Sequence, residues 1–161
     1  MAYDCLLVDL MPGSNQLSMD AIEKADITVI VLPQDPKVWK KFFSDVFWKL
    51  KAKNVFFLLG GALMDAKYGI REFLKVAGNV ADRGRVGMIP RNTEYLEAMT
   101  EGRVIEFFLK NERGRKGEGN AAFVEQTRRT ARSLLELADR AGRKKKIFLS
   151  GTLQSSEKYV E

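Results

Sequence analysis

The residue of this chain best placed for chemistry stands close to its start. Asp9 interrupts an apolar run, following residues 5–8 and preceding Leu10, and Pro12 and Gly13 come directly after. An apolar run with one acid at its end reads as a buried strand that delivers a carboxylate to the strand exit, and Pro-Gly then reads as a tight turn. A carboxylate in that position loses hydration and needs an offset. A divalent cation, a metal-bound water or the free amides of a helix N-terminus can supply it. Two readings stay open: an acid that holds Mg²⁺ or its waters, and an aspartate that caps the turn.

Other chemistries are removed by composition. The 161 residues contain no histidine, which takes away imidazole acid–base catalysis, serine triads and most zinc sites. The single cysteine, Cys5, lies inside the apolar run and reads as a buried thiol in a reducing, cytoplasmic setting. No apolar run approaches the roughly 18 residues of a membrane span. The start "MAYDCLL" has no basic region or cleavage site, so no signal peptide is expected, and a membrane partner is not expected either. Net charge is +6, and residues 103–146 hold 13 Lys/Arg against 6 Asp/Glu, whereas the rest is nearly balanced. Such a segment suits nucleic acid, acidic lipid or an acidic protein, or is a solvated helix and tail. Within it, Arg128, Arg129 and Arg132 are the candidates for DNA contact.

These residues need a scaffold. Apolar, non-alternating runs at 4–10, 27–32, 54–59 and 85–89 read as four strands. Helical periodicity reads at 17–25, 37–51, 67–77 and from Asn92 or Thr93. Residues 103–109 read as a short strand or extended segment, and 110–120 as a basic loop. A helix from Asn120 to about Ala141 is expected to bury Phe123, Thr127, Ala131, Leu134 and Ala138. The domain is then 1–142, with a basic, flexible tail over 143–161. Strand alternating with helix predicts an α/β fold with a parallel sheet of about four strands. Ligands of such sheets sit at the carboxyl ends of the strands; Asp9, Pro33, Gly60 and Pro90 all fall there. On the 37–51 helix Trp39 and Trp48 cannot share one stripe with Phe42, Phe43 and Phe47, so one of them is expected on an exposed patch suited to self-association.

The stretch "YDCLLVDLMPGSNQLSMDAIEKADITVIVLPQDP" resembles the middle of the MinD/ParA/Mrp group of P-loop ATPases. That group has an apolar strand ending in Asp, then Pro-Gly, a helix, Ala-Asp, an apolar strand and Pro. "NVFFLLGG", "VGMIPRNTEYLEAMTEGRVIEFF" and "FVEQTRRTARSLLEL" resemble the segments that follow, so the likeness covers about residues 3–141. It implies the second half of a P-loop NTPase-like, Rossmann-type domain that binds ATP and Mg²⁺, with Asp9 as the Walker B acid beside the metal. Pro12, Gly13 and Gly60 would then line the nucleotide, and Pro90 and Asn92 would lie near the adenine. There are two departures. Gly60-Gly61 stand where the group often has Asn-Arg, and no G-x-x-x-x-G-K-[ST] phosphate loop occurs in the chain.

Phosphoryl transfer depends on backbone amides, a lysine and Mg²⁺ acting together, so this chain is expected to be inactive in hydrolysis without a phosphate-loop half. The missing strand is expected to leave an open sheet edge that associates with a second copy or with a separate N-terminal half. "VDLMPG" also resembles the phospho-acceptor turn of response-regulator receiver domains. That turn has one more residue after its Asp, and the receiver's acidic pair and late lysine have no counterpart here. A second class of function remains, a non-catalytic α/β module that acts through protein or DNA contacts.

Overall fold

The computed structural model describes residues 6–10, 16–81, 83–112 and 119–156. The chain is an α/β structure in the order α1 (Gln16–Lys24), β1 (Thr28–Pro33), α2 (Pro36–Lys41), β2 (Val55–Ala62), α3 (Lys67–Val80), β3 (Val86–Pro90), α4 (Thr93–Thr100), α5 (Val104–Asn111) and α6 (Gly119–Ser156). The strands form one parallel sheet in the order β1-β2-β3. Thr28 faces Val55 at one end of the first pair and Pro33 faces Gly60 at the other; Phe57 faces Val86 in the second pair. Parallel neighbours need a crossover, which α2 and α3 provide.

The crossover after β1 starts on Pro36, whose ring suits a first helical position. Asp35 caps it, its carboxylate accepting from the Lys37 amide at 2.8 Å. The helix then widens into a π turn over Phe42–Val46 and tightens into a 3₁₀ turn over Phe47–Lys49. The periodicity reads as one helix over 37–51; three geometries share that length. The changes of pitch bring both Phe43 and Phe47 against Phe57, with ring centroids 5.1 and 5.4 Å apart. Trp39 is fully buried and meets Phe73 edge-on, whereas Trp48 is 72% exposed. Of the two tryptophans, Trp48 is therefore the one on the surface.

One face of the sheet is covered by this segment and by α3. Leu32, Phe57, Leu59 and Ala62 pack on Trp39 and Phe43 and on Ile70, Phe73 and Ala77 of α3. The three- and four-residue spacing of the α3 positions supplies the stripe. The other face is covered at β3 by α6. There Gly87 is essential to the fit: a Cβ on it would stand 2.6 Å from Thr130 Cγ2 and 2.9 Å from the Phe56 ring. The Thr130 hydroxyl accepts from the Met88 amide at 3.1 Å and donates to the Met88 carbonyl at 2.8 Å. β3 is an edge strand, and α6 thus satisfies the outward amide and carbonyl of its Met88. A second cluster joins α4, α5 and the start of α6 through Ala98, Phe107, Phe123 and Val124, with the Tyr95 ring 4.9 Å from that of Phe123 and tilted by 36°.

Four expectations change. Residues 6–10 form no strand, and Leu6, Leu7 and Val8 are 82%, 89% and 63% exposed. The sheet therefore has three strands among the described residues. A strand needs a neighbour as well as apolar side chains, and this run has none. Residues 104–111 are helical; Val104, Phe107 and Phe108 fall at three- and four-residue spacing, and Phe107 and Phe108 dock on Tyr95 and Phe123. The buried stripe of α6 runs Phe123, Thr130, Leu137, leaving Ala131 exposed, because Thr130 is drawn to Met88. Finally, α6 does not end near Ala141 but continues to Ser156; no proline interrupts that stretch and Lys and Arg are good helix formers. Cys5, Pro12, Gly13 and residues 113–118 of the basic loop lie outside the described residues.

Gly87→Ala should destabilise the protein by about 1–3 kcal/mol, since a methyl is forced against Thr130 and Phe56. Urea unfolding followed by circular dichroism measures this. An unchanged midpoint would mean that α6 does not approach β3 this closely.

Candidate functional site

The carboxyl ends of β1, β2 and β3 open on one rim of the sheet. β1 delivers Gln34 and Pro36, β2 delivers Gly61 and the loop 63–66, and β3 delivers Arg91. Together with Gly69 of α3 they enclose a cleft of about 610 Å³, within the size range of small-molecule sites. A second cleft of about 290 Å³ adjoins it at Arg91 and lies between Pro90, Asn92 and the first turns of α6.

The larger cleft owes its shape to Gln34. Its side-chain nitrogen donates to the Leu63 carbonyl at 3.3 Å and to the Ala66 carbonyl at 3.0 Å, and its oxygen accepts from the Leu63 amide at 2.6 Å. One side chain therefore holds the β2–α3 loop against the end of β1. Gly61, at φ +65°, takes a left-handed conformation that favours glycine and marks the irregularity between Gly60 and Ala62 at which the pairing of β2 with β3 shifts. Gly69 admits Gln34, whose Cγ would lie 3.4 Å from an added Cβ. Asp65 and Arg91 give the cleft one charge of each sign.

The smaller cleft is held by side-chain hydrogen bonds among three residues. Asn92 caps α4, its oxygen accepting from the Tyr95 amide at 2.7 Å, and its nitrogen donates to Asn120 at 2.8 Å. Asn120 in turn donates to Glu94 at 2.5 Å. The sequence suggests that Asn120 caps α6; its side chain instead ties α6 to α4. Arg129, Gln126 and Glu125 complete the polar lining, and Phe123 and Ala122 the apolar part.

The expected site residues part company. Pro90 and Asn92 share the smaller cleft. Gly60 sits within β2, where its missing side chain leaves room for Val31, whose Cγ1 would lie 3.0 Å from an added Cβ; its neighbour Gly61 is the one that lines the rim. Asp9 is exposed in the irregular segment 6–10 and is not part of either lining. Arg128 pairs with Glu112 at 2.5 Å, a hydrogen bond that raises its pKa above the ordinary value. Arg129 lines the smaller cleft and Arg132 is exposed. Gln34 and Arg91 were not singled out by the sequence. Their only signal is position, one residue past Pro33 and Pro90 at the ends of strands.

The fit to a nucleotide can be judged end by end. The smaller cleft, with an apolar wall and amide groups, suits a planar base. For Mg²⁺ the described residues supply no cluster of three or more Asp, Glu or Cys side chains, and Asp9 alone is one exposed carboxylate. These residues do not by themselves form a metal site. No described helix is long and apolar enough to cross a membrane. Family models, curated proteins and solved structures yield no match to this chain.

Gln34→Ala should release the β2–α3 loop, at a loss of about 0.5–1.5 kcal/mol because water replaces Gln34 at the exposed Leu63 and Ala66 groups. Hydrogen exchange at the Leu63 amide should accelerate, while the exchange of α6 amides stays unchanged. Equal rates at Leu63 in both proteins would show that Gln34 does not hold the loop.

Proposed function

We propose that the chain is the C-terminal half of a MinD/ParA-type nucleotide-binding ATPase domain, cytoplasmic and silent in hydrolysis until a phosphate-loop half joins it. The observation that carries this reading is the pair of adjoining clefts at the carboxyl rim of a parallel sheet, where nucleotides bind in open α/β folds. Pro90 and Asn92, the residues that the sequence resemblance sets near the adenine, line one of them. In this reading Arg91, common to both clefts, faces the anionic part of the ligand. Asp9 becomes a metal-side residue only when the phosphate-loop half brings phosphates and amides to it. The order of motifs along residues 3–141 supports the assignment, and the absence of a phosphate loop from the chain supports its inactivity.

A second reading, a module that binds DNA nonspecifically, draws on the basic α6. Arg129 and Arg132 are exposed there, though Glu125 and Glu136 are exposed on the same helix.

Titration calorimetry with ATP, ADP and AMP on the purified chain should show weak adenine-nucleotide binding that Arg91→Ala reduces, with no phosphate release in the presence of Mg²⁺. Absence of binding would reject the nucleotide reading. Mg²⁺-dependent turnover abolished by Asp9→Ala would reject the inactivity.

DNA affinity, if the second reading holds, should fall steeply between 50 and 200 mM salt, roughly as expected for counterion release. It should also weaken when Arg129 and Arg132 become alanine. Binding that is absent at low salt, or indifferent to those substitutions, removes DNA as a partner.

A further inference from the structure

The two edges of the sheet are finished differently. At β3 the hydroxyl of Thr130 takes both backbone groups of Met88, so no further strand can add there. At β1 nothing comparable occurs. Thr28 donates to the Asn54 carbonyl on the β2 side. In a parallel edge strand alternate residues direct both backbone groups the same way, so Val29 and Val31 direct theirs outward. Among the described residues no hydrogen bond reaches those groups. The Val29 and Val31 side chains, on the face away from α2 and α3, are 39% and 61% exposed. Natural edge strands are blunted by charge, a central proline or a bulge. β1 reads TVIVLP and has a proline only at its last position.

The same chain carries a strand-like segment without a strand partner. Leu7 is 89% exposed, the highest value among the exposed large apolar side chains, and Leu6 and Val8 flank it. The segment comprises residues 6–10, close in length to the six residues of β1. In the folded chain it stands off the sheet, joined to β1 through α1, which at 9 residues is about 13 Å long.

We infer that the outer edge of β1 receives residues 6–10 of a second copy, so that two chains exchange these segments in a two-fold dimer. The occupant follows from the molecule itself. Each copy holds an open edge and a matching unpaired segment, so the contact is reciprocal and closes on two chains. Strand addition satisfies the outward groups of Val29 and Val31; in the added strand Leu6 and Val8 share one face of the sheet and Leu7 takes the other, so apolar side chains extend both faces beyond β1. Parallel addition, the direction a strand–helix–strand unit favours, carries Asp9 of the second copy toward the carboxyl rim near Leu32. The inference stands whether or not the clefts take a nucleotide, because it uses the opposite resource of the sheet, its edge.

The test uses the full chain in three forms: unaltered, Leu7→Asp and Val31→Lys. Both substituted positions are exposed in the single chain, so folding, checked by circular dichroism, should persist. Light scattering at micromolar concentration should give a dimer for the unaltered chain, with amide exchange slowed at residues 6–10 and at Val29 and Val31. Each variant should dimerise more weakly, on the order of tenfold or more. Mixing the variants should restore association, since Leu7→Asp keeps an intact edge and Val31→Lys keeps an intact segment. A monodisperse monomer overturns the inference; if residues 6–10 are protected in that monomer, the segment has closed on its own β1. A dimer that neither substitution weakens also overturns it and directs attention to another surface, such as the one around Trp48.

Discussion

Two consecutive phenylalanines on the central strand support both layers of this molecule. Phe56 and Phe57 are fully buried and, being adjacent in a strand, point to opposite faces. Phe57 receives Phe43 and Phe47 from the segment that follows α2. Phe56 lies over Gly87 beside Thr130 and so sets how closely α6 can approach β3. The sheet is thereby the middle layer of a three-layer arrangement around β2. Where β2 is flanked on both sides the layers are complete; toward β1 the second face thins out, and Val29 and Val31 meet solvent.

The clefts depend on the same arrangement. A parallel sheet brings the carboxyl ends of its strands to one rim, and the loops that leave them must all pass there. Most of the polar groups at the rim are spent on holding it. Gln34 uses both ends of its amide on the β2–α3 loop, and Asn92, Asn120 and Glu94 bind one another. The polar side chains of the clefts outside these hydrogen bonds are Arg91 between the two, Asp65 in the larger, and Glu125, Gln126 and Arg129 in the smaller. A rim held in this way is preformed by hydrogen bonds between side chains and loop backbone rather than by packing alone. The exposed Asp9 of the segment 6–10 lines neither of these clefts.

The asymmetry of the two sheet edges follows from side chains far apart in sequence. Thr130 reaches Met88 across 42 residues, and only because residue 87 has no side chain. An alanine at 87 would prop α6 away and leave β3 with an open edge like that of β1. The threonine thus acts as a surrogate strand, meeting an amide and a carbonyl with one hydroxyl.

Much of this was legible in the residues. Buried β-branched and aromatic runs at 27–32, 54–59 and 85–89 specify strands by their local composition, and the helices between them follow from three- and four-residue spacing. The parallel α/β class follows from that alternation, as does the gathering of Pro90 and Asn92 at one rim. The start of α4 at Asn92 or Thr93 is local chemistry and could be read directly. Tertiary structure alone decided the rest. Residues 6–10 have the composition of a strand but no neighbour, and pairing is a non-local property that composition does not encode. Residues 104–111 became helical because Phe107 and Phe108 found Tyr95 and Phe123. The stripe of α6 turned to Thr130 because a glycine 43 positions earlier made room for it. Gln34, an ordinary polar residue in a turn, became the clasp of the larger cleft because β1 and the β2–α3 loop end side by side. Local propensity acts over a few residues, whereas each of these outcomes rests on a contact between segments that only the folded chain brings together.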